Sequence, residues 1–179
     1  MIYYFTPYQH KNLGAAYNHY CSLVPNDDDW ITIMDGDVMQ LYLNWGEIWE
    51  KILSKNNDAG IVTCMTNRVH YTNDFQLCKS MFNNSNIIDH KIYAMELYNK
   101  YEYQTKNVIS KFMSGFYFSF KKSIWKKVGG FAEGILHVDK KFFLNVIKFK
   151  PCRIALGYYI LHYYRMYEGD KYLNHLTKL

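Results

Sequence analysis

The sequence has few cysteines, and none of them forms a closely spaced pair. Cys21, Cys64, Cys78 and Cys152 lie far apart among the 179 residues, and no C-x-x-C motif occurs. The N-terminus is strand-like and lacks the basic region and apolar run of a signal peptide. We therefore expect reduced thiols in a protein with a cytoplasmic localisation.

Long apolar runs and massed basic residues are also missing. The most apolar late stretch, residues 154–164, is about half of a membrane span, so we predict no transmembrane segment. The formal charge of +5 comes from 21 basic and 16 acidic residues, and the lysines are scattered. Because no arginine-rich stripe or known reading motif occurs, we expect no nucleic-acid partner.

The residues that are present predict an α/β protein. Hydrophobic residues make up 49% of the chain and aromatic residues 18%, enough for one domain with a substantial core. Hydrophobic periodicity predicts strands over 2–6, 30–34 and 59–66, separated by helices over 12–24 and 44–55. This alternation predicts a mostly parallel central sheet with right-handed crossovers and flanking helices.

The second half of the chain is less regular. Residues 67–110 are polar and rich in Asn and Tyr, and contain one predicted helix around 88–101. The pattern then predicts a strand, two helices and a final strand, over 112–120, 121–129, 139–149 and 152–164, followed by a polar tail. We interpret 67–110 as a functional loop region, because long irregular segments in compact domains commonly carry function.

Two aspartates follow the buried strand at 30–34. Asp35 and Asp37 flank a glycine at its carboxyl end, where open α/β sheets bind ligands. Two adjacent carboxylates repel each other, and their oxygens suit hard cations such as Mg²⁺ or Mn²⁺. An acidic turn without a ligand is the alternative interpretation.

Further motifs stand in a characteristic order. The stretch "SGFYFSFKKSIWKKVGGFAEGILHVDKKFF" (114–143) precedes the last strand, which ends in "HYYR" (162–165). Together with Asp35-Gly36-Asp37, this order resembles the GT-A fold glycosyltransferases that use nucleotide sugars. The likeness is strongest to family 2 and its galactosyl- and N-acetylgalactosaminyltransferase relatives. It implies one GT-A (Rossmann-like) domain over 1–165, with 67–110 as an unmatched acceptor-side segment, and a C-terminal tail over 166–179.

The resemblance implies a metal site and a diphosphate site. Asp35, Asp37 and His162 would hold a divalent metal, Mn²⁺ or Mg²⁺, that bridges the diphosphate of a nucleotide-sugar donor. Asp35 would also lie near the ribose, and Arg165 would donate hydrogen bonds to the diphosphate. A hydrogen-bonded core histidine and a surface arginine are the alternative interpretations.

The resemblance also implies a general base. Asp139 would take the proton of the acceptor hydroxyl during inverting transfer; a plain helix cap is the alternative. Val138 stands where the family often has a second acidic residue, and His137 is a candidate acceptor contact. This departure concerns how the acceptor is held.

The remaining implied contacts surround the donor. Tyr8 would stack on the nucleotide base, and Gly115 would let the backbone approach the donor sugar. The full set of implied donor-site residues, beyond Asp35 and Arg165, is Thr6, Pro7, Tyr8, Gly14, Asn18 and Gly115. The sequence lacks the second strand and Asp-rich loop that normally contact the base, so the N-terminal half is abbreviated.

The function that the resemblance implies is metal-dependent transfer of a sugar, with inversion. The donor would be a nucleoside-diphosphate sugar, expected to be a UDP-sugar, and the acceptor a glycan or other hydroxyl compound. A non-catalytic relative that binds sugar nucleotides or carbohydrate is the alternative. Another phosphate-handling enzyme, a nucleotidyltransferase or phosphatase, fits less well. The phosphatase pattern places its aspartates after the first strand and follows them with threonine, whereas Val38 and Met39 stand here.

Overall fold

The computed structural model describes residues 1–69, 75–109 and 113–164, which fold as one α/β domain. The strands are β1 (Ile2–Phe5), β2 (Trp30–Met34), β3 (Val38–Met39), β4 (Ile61–Thr66), β5 (Thr105–Val108), β6 (Tyr117–Lys121) and β7 (Cys152–His162). The helices are α1 (Leu13–Leu23), α2 (Trp45–Lys55), α3 (Ile87–Tyr101), α4 (Lys122–Val128) and α5 (Val138–Val146). The predicted α/β class is confirmed.

The sheet is mixed, whereas the sequence predicted a mostly parallel one. Its order is β1-β2-β6-β4-β7-β3, and β5 pairs with β7. β1 runs parallel to β2 and β4 runs parallel to β7, while the four other described pairings are antiparallel. The reversal centres on β6, whose first residue, Tyr117, pairs with the last residue of β2, Met34. β6 therefore enters at the carboxyl edge of its neighbours and runs back between them.

Helices cover both faces of the sheet. Alternate side chains of a strand point to opposite faces, and Trp30 packs in the cluster with α2 and α3. Ile31 packs in the other cluster, with α1, α4 and α5. The fully buried Trp49 of α2 also donates a hydrogen bond to the Ser119 hydroxyl of β6, at 2.9 Å. The strands are apolar on both faces because the sheet is packed between two layers of helices.

The long last strand organises the edge of the sheet where the site lies. The first part of β7, Cys152 to Ala155, pairs with β5, and its end pairs with β3 through Val38 and His162. Neither β3 nor β5 was predicted from the sequence, because both are short and partly exposed. β3 brings the Asp-Gly-Asp turn directly beside the end of β7.

Within residues 1–69, 75–109 and 113–164, no helix is both long enough and apolar enough to cross a bilayer.

Candidate metal centre and adjoining cavity

The Asp-Gly-Asp turn is fixed between two other strands. The backbone N–H of Asp35 donates to the carbonyl of Phe116, just before β6, at 2.8 Å. The backbone N–H of Tyr163, just after β7, donates to the carbonyl of Asp37, also at 2.8 Å. These two bonds set the positions of both carboxylates relative to the carboxyl edge of the sheet.

His162 is held in one orientation by its surroundings. Its side chain is buried, its ring stacks on Phe116 at 5.2 Å between centroids, and its Nδ1 lies 2.8 Å from the carbonyl of Arg68. A carbonyl oxygen can only accept, so Nδ1 carries the proton. In the neutral ring, Nε2 therefore presents a lone pair, which is the form that ligates metal ions.

The imidazole and the two carboxylates converge on one point. The Nε2 atom of His162 lies 3.3 Å from Asp37 Oδ1 and 3.9 Å from Asp35 Oδ2. One ligand atom from each residue lies within 4.8 Å of the other two. Nε2 is buried and has no hydrogen-bond partner, and ionised carboxylates have no proton to give it. An unpartnered buried nitrogen thus faces two carboxylates, so this group could hold a cation.

The protonation of the two carboxylates differs. The Asp35 side chain is 41% exposed but recessed, and desolvation, with the charge of Asp37 adding to it, raises its pKa to about 6. The adjacent His162 side chain, whose Nε2 lies 3.3 Å from Asp37 Oδ1, lowers the pKa of Asp37. Both groups are therefore mainly ionised at neutral pH and available as ligands.

A cavity of about 150 Å³ opens beside this group. Asp35 and His162 line it on one side, and Asp139 at the start of α5 also lines it. Apolar side chains, among them Leu13 and Tyr17 from α1, form much of the remaining wall. The cavity therefore joins the candidate metal ligands to a further carboxylate.

Asp139 lies in the first turn of α5 and its side chain is held by backbone amides. The residue at the cap position of α5 is His137. Oδ2 of Asp139 accepts from the N–H of Gly115, and Oδ1 accepts from the N–H of Lys140, both at 2.8 Å. Burial raises the pKa of Asp139, and these two donors oppose that shift. Two backbone donors thus fix the position of the carboxyl group, and burial increases its affinity for a proton.

Gly115 is required for this arrangement. A Cβ atom at position 115 would lie 2.6 Å from Cβ of Asp139, closer than such atoms approach in proteins. The glycine contacts the candidate base, and its predicted approach to a donor sugar stays a prediction.

The residues predicted around the donor lie near the site in different ways. Thr6, Pro7 and Tyr8 follow β1 at the same edge of the sheet; Pro7 is buried and Tyr8 is 80% exposed. The Gly14 N–H donates to the carbonyl of Gly134 at 3.1 Å. The predicted stacking of Tyr8 on a nucleotide base stays a prediction, and Arg165 lies outside the described residues.

Asn18 binds protein groups with both of its side-chain polar atoms. Nδ2 donates to the carbonyl of Phe131 at 2.9 Å, and Oδ1 accepts from the N–H of Phe131 and from Trp125 Nε1. The described contacts of Asn18 therefore hold the segment after α4. On the same helix, Leu13 and Tyr17 line the cavity, although their spacing in the sequence indicated only the packed face of a helix.

Two buried amide side chains, Asn67 and Gln76, support the site and were not predicted from the sequence. Asn67, directly after β4, accepts the N–H of His162 at 2.8 Å through Oδ1. Gln76 accepts the N–H of Ser114 at 2.7 Å and donates to the Thr63 hydroxyl at 3.0 Å. The position of Asn67 at a strand's carboxyl end was a usable signal, whereas Gln76 had none because its partners are distant in sequence.

No protein-family model matches this chain, and no curated protein shows significant similarity to it.

Proposed function

We propose that this protein is a metal-dependent glycosyltransferase of the GT-A type. It transfers a sugar, with inversion, from a nucleoside-diphosphate donor, with a UDP-sugar as the first candidate, to an acceptor hydroxyl. One observation carries the proposal: the unpartnered Nε2 of His162 converges with the carboxylates of Asp35 and Asp37 at the edge of a cavity that Asp139 also lines.

The acidic pair and the imidazole are the proposed ligands of a divalent cation. Two carboxylates and one neutral imidazole match the preferences of Mn²⁺ and are compatible with Mg²⁺. When bound, the cation supplies positive charge to the diphosphate and so stabilises the leaving group. Asn67 and the Arg68 carbonyl orient His162 for this task through its backbone and its Nδ1.

Asp139 is the proposed general base. It lines the cavity that the metal group borders, and its pKa is raised by burial, which increases its affinity for a proton. The N–H groups of Gly115 and Lys140 fix the carboxyl group. In this role Asp139 removes the proton of the acceptor hydroxyl as the oxygen attacks the anomeric carbon.

Thermal stabilisation by ligands tests the metal and donor steps. We expect Mn²⁺ together with a nucleoside diphosphate or nucleotide sugar to raise Tm more than either alone. Asp37→Ala should abolish this joint effect, because it removes one ligand. Asp28→Ala is the matched control, since that carboxylate is 94% exposed and precedes β2, at the opposite end of the strand from Asp35. An equal response of both variants would contradict the proposed site.

Asp139→Asn separates transfer from binding. The amide keeps the shape and can still accept from Gly115, so ligand-dependent stabilisation should persist. It cannot take a proton, and loss of a general base typically costs about 10²–10⁴-fold in rate. Retained transfer in this variant would remove Asp139 from the mechanism.

A non-catalytic sugar-nucleotide or carbohydrate-binding protein is the second candidate. It is favoured by the two amide hydrogen bonds that occupy both oxygens of Asp139, which also suit a purely structural carboxylate. Metal-dependent ligand binding without donor hydrolysis or transfer, at any acceptor tested, would support this candidate over the first.

A further inference from the structure

One side of α3 is apolar although it faces solvent. The opposite side of the helix packs against the sheet through the fully buried His90 and Ala94. Six exposed residues line a shallow groove along the outer side: Ile88, Lys91, Ile92, Met95, Glu96 and Asn99. The three apolar members are, in chain order, 68%, 55% and 43% exposed. Exposed apolar groups aligned in this way mark interaction surfaces.

The spacing of these residues is that of a coiled-coil seam. Ile88, Ile92, Met95 and Asn99 follow each other at intervals of four, three and four residues, which match the d, a, d and a positions of a heptad repeat. Lys91 and Glu96 then occupy the g and e positions on the two flanks of the seam. A second α-helix is therefore the shape that fits this groove.

The charges on the two flanks are complementary to those of a second copy of α3. In two parallel, level helices, the g flank of one helix lies beside the e flank of the other. A g side chain then reaches the e residue five positions further along, about 7.5 Å of helical rise. Lys91 of each copy would thus face Glu96 of the other, which gives two ion pairs. An antiparallel pair would instead bring the two e flanks together and set Glu96 beside Asp89 of the other copy.

Asn99 favours the same arrangement. A polar Asn at an a position specifies the register and the number of strands of a coiled coil, because two level Asn side chains can hydrogen-bond to each other. α3 is already folded against β7, where His90 stacks on Tyr159, so the pairing carries no cost of helix formation. The seam extends over about two heptads, so we expect a weak and reversible dimer.

We propose that two copies of this chain form a parallel two-fold dimer through the outer side of α3. Because the two-fold axis runs along the helix, the N-terminal ends of both copies of α3 point the same way. This end lies toward the candidate metal centre, since His90 Nδ1 is 2.7 Å from the hydroxyl of Tyr159, three residues before His162. The dimer therefore presents both candidate sites at one end. The dimerisation itself does not rest on the proposed function.

Sedimentation equilibrium of the full chain tests the dimer. We expect the weight-average mass to rise from that of one chain toward that of two as the concentration increases through the micromolar range. Ile92→Glu places a charge in the seam and should leave the protein monomeric throughout this range. Leu136→Glu is the matched control, because Leu136 is 77% exposed and precedes α5, which packs on the other face of the sheet. This control should associate as the wild type does.

Charge reversal tests the parallel orientation. Lys91→Glu alone and Glu96→Lys alone should each weaken dimerisation by about tenfold, because each creates two like-charge contacts. The double variant restores opposite charges and should recover the wild-type dissociation constant to within about threefold. A double variant as weak as the single ones would overturn the parallel arrangement. A monomeric wild type, association that persists in Ile92→Glu, or equal loss in Leu136→Glu would each overturn the dimer.

Discussion

Two buried histidines of this protein have opposite surroundings. His90 of α3 is completely buried, and both of its ring nitrogens have partners: Nδ1 lies 2.7 Å from the Tyr159 hydroxyl and Nε2 lies 2.8 Å from the carbonyl of Asn84. His162 at the end of β7 is 3% exposed and has a partner for Nδ1 alone; its Nε2 faces two carboxylates.

The difference separates a structural histidine from a ligand-like one. Around His90, a carbonyl accepts one N–H and a hydroxyl can donate to the other nitrogen, so the neutral ring is complete without a ligand. Around His162, ionised Asp35 and Asp37 offer no proton. A buried unpaired polar group costs about 1–3 kcal/mol, and such a cost is expected where a ligand completes the group.

Replacing His90 should produce the largest loss of stability. His90→Ala leaves the Tyr159 hydroxyl and the Asn84 carbonyl without their partner and opens a cavity beneath α3. We expect a loss of about 3 kcal/mol in the free energy of unfolding, measured by urea denaturation. The Mn²⁺-dependent increase in Tm should remain, because His90 is not among the metal-binding candidates.

His162→Ala should give the opposite pattern. The free energy of unfolding should fall less than in His90→Ala, since an unsatisfied nitrogen is removed together with the lost ring contacts. The Mn²⁺-dependent stabilisation should disappear. If both variants lost stability equally and both kept the metal response, the contrast between the two histidines would have no functional meaning.

Gly115→Ala should produce the next largest effect. Its added Cβ would lie 2.6 Å from Cβ of Asp139, and overpacking of this kind costs about 1–3 kcal/mol. Gly36→Ala is the control within the same site, because its Cβ would meet only Thr6 Cγ2, at 3.7 Å. Urea denaturation of both variants measures the difference; comparable losses would show that the close contact with Asp139 is not what requires glycine.

The elements themselves followed from local patterns, whereas the sheet did not. Helix α1 was predicted at 12–24 and lies at Leu13–Leu23, and the last strand was predicted at 152–164 and lies at Cys152–His162. The direction of β6 could not be predicted, because strand periodicity is the same in both directions. β3 and β5 were not predicted, because strands of two and four residues are too short to show a clear alternation of apolar and polar residues.

The part of the candidate site that lies at the ends of strands could be predicted from the sequence. Asp35, Asp37 and His162 follow or end apolar strands, and they do lie together at one edge. Gln76 and Tyr17 reach the site through packing between distant segments, which no local pattern encodes.

Asp35→Asn should raise stability in the absence of metal. The folded-state pKa of Asp35 is about 6, above its ordinary value. The contribution of this carboxyl group to the free energy of unfolding therefore falls as pH rises from about 4 to 6. The variant lacks this loss, and the gain above pH 6 is on the order of 1 kcal/mol once the partial exposure is considered. Urea denaturation with chelator at several pH values measures it.

Metal should reverse the order of these two proteins. Wild-type protein with Mn²⁺ at pH 7 should gain stability, and Asp35→Asn should gain much less because one ligand is lost. If the variant were less stable than the wild type in chelator above pH 6, the carboxylate would not be a source of strain in the metal-free protein.

The smallest effect is expected where a charge is both exposed and satisfied. Arg153, at the opposite end of β7 from His162, donates two hydrogen bonds of 2.7 Å to Asp58, whose side chain is 63% exposed. This contact lowers the pKa of Asp58, so its contribution is present at neutral pH and is lost as pH falls through the lowered value. Asp58→Asn should cost about 0.5 kcal/mol at pH 7 and nothing in strong acid, by urea denaturation. The charges of this pair satisfy each other, so Asp58→Asn should leave the Mn²⁺-dependent increase in Tm unchanged. Replacement of Asp35 or His162 should instead reduce that increase.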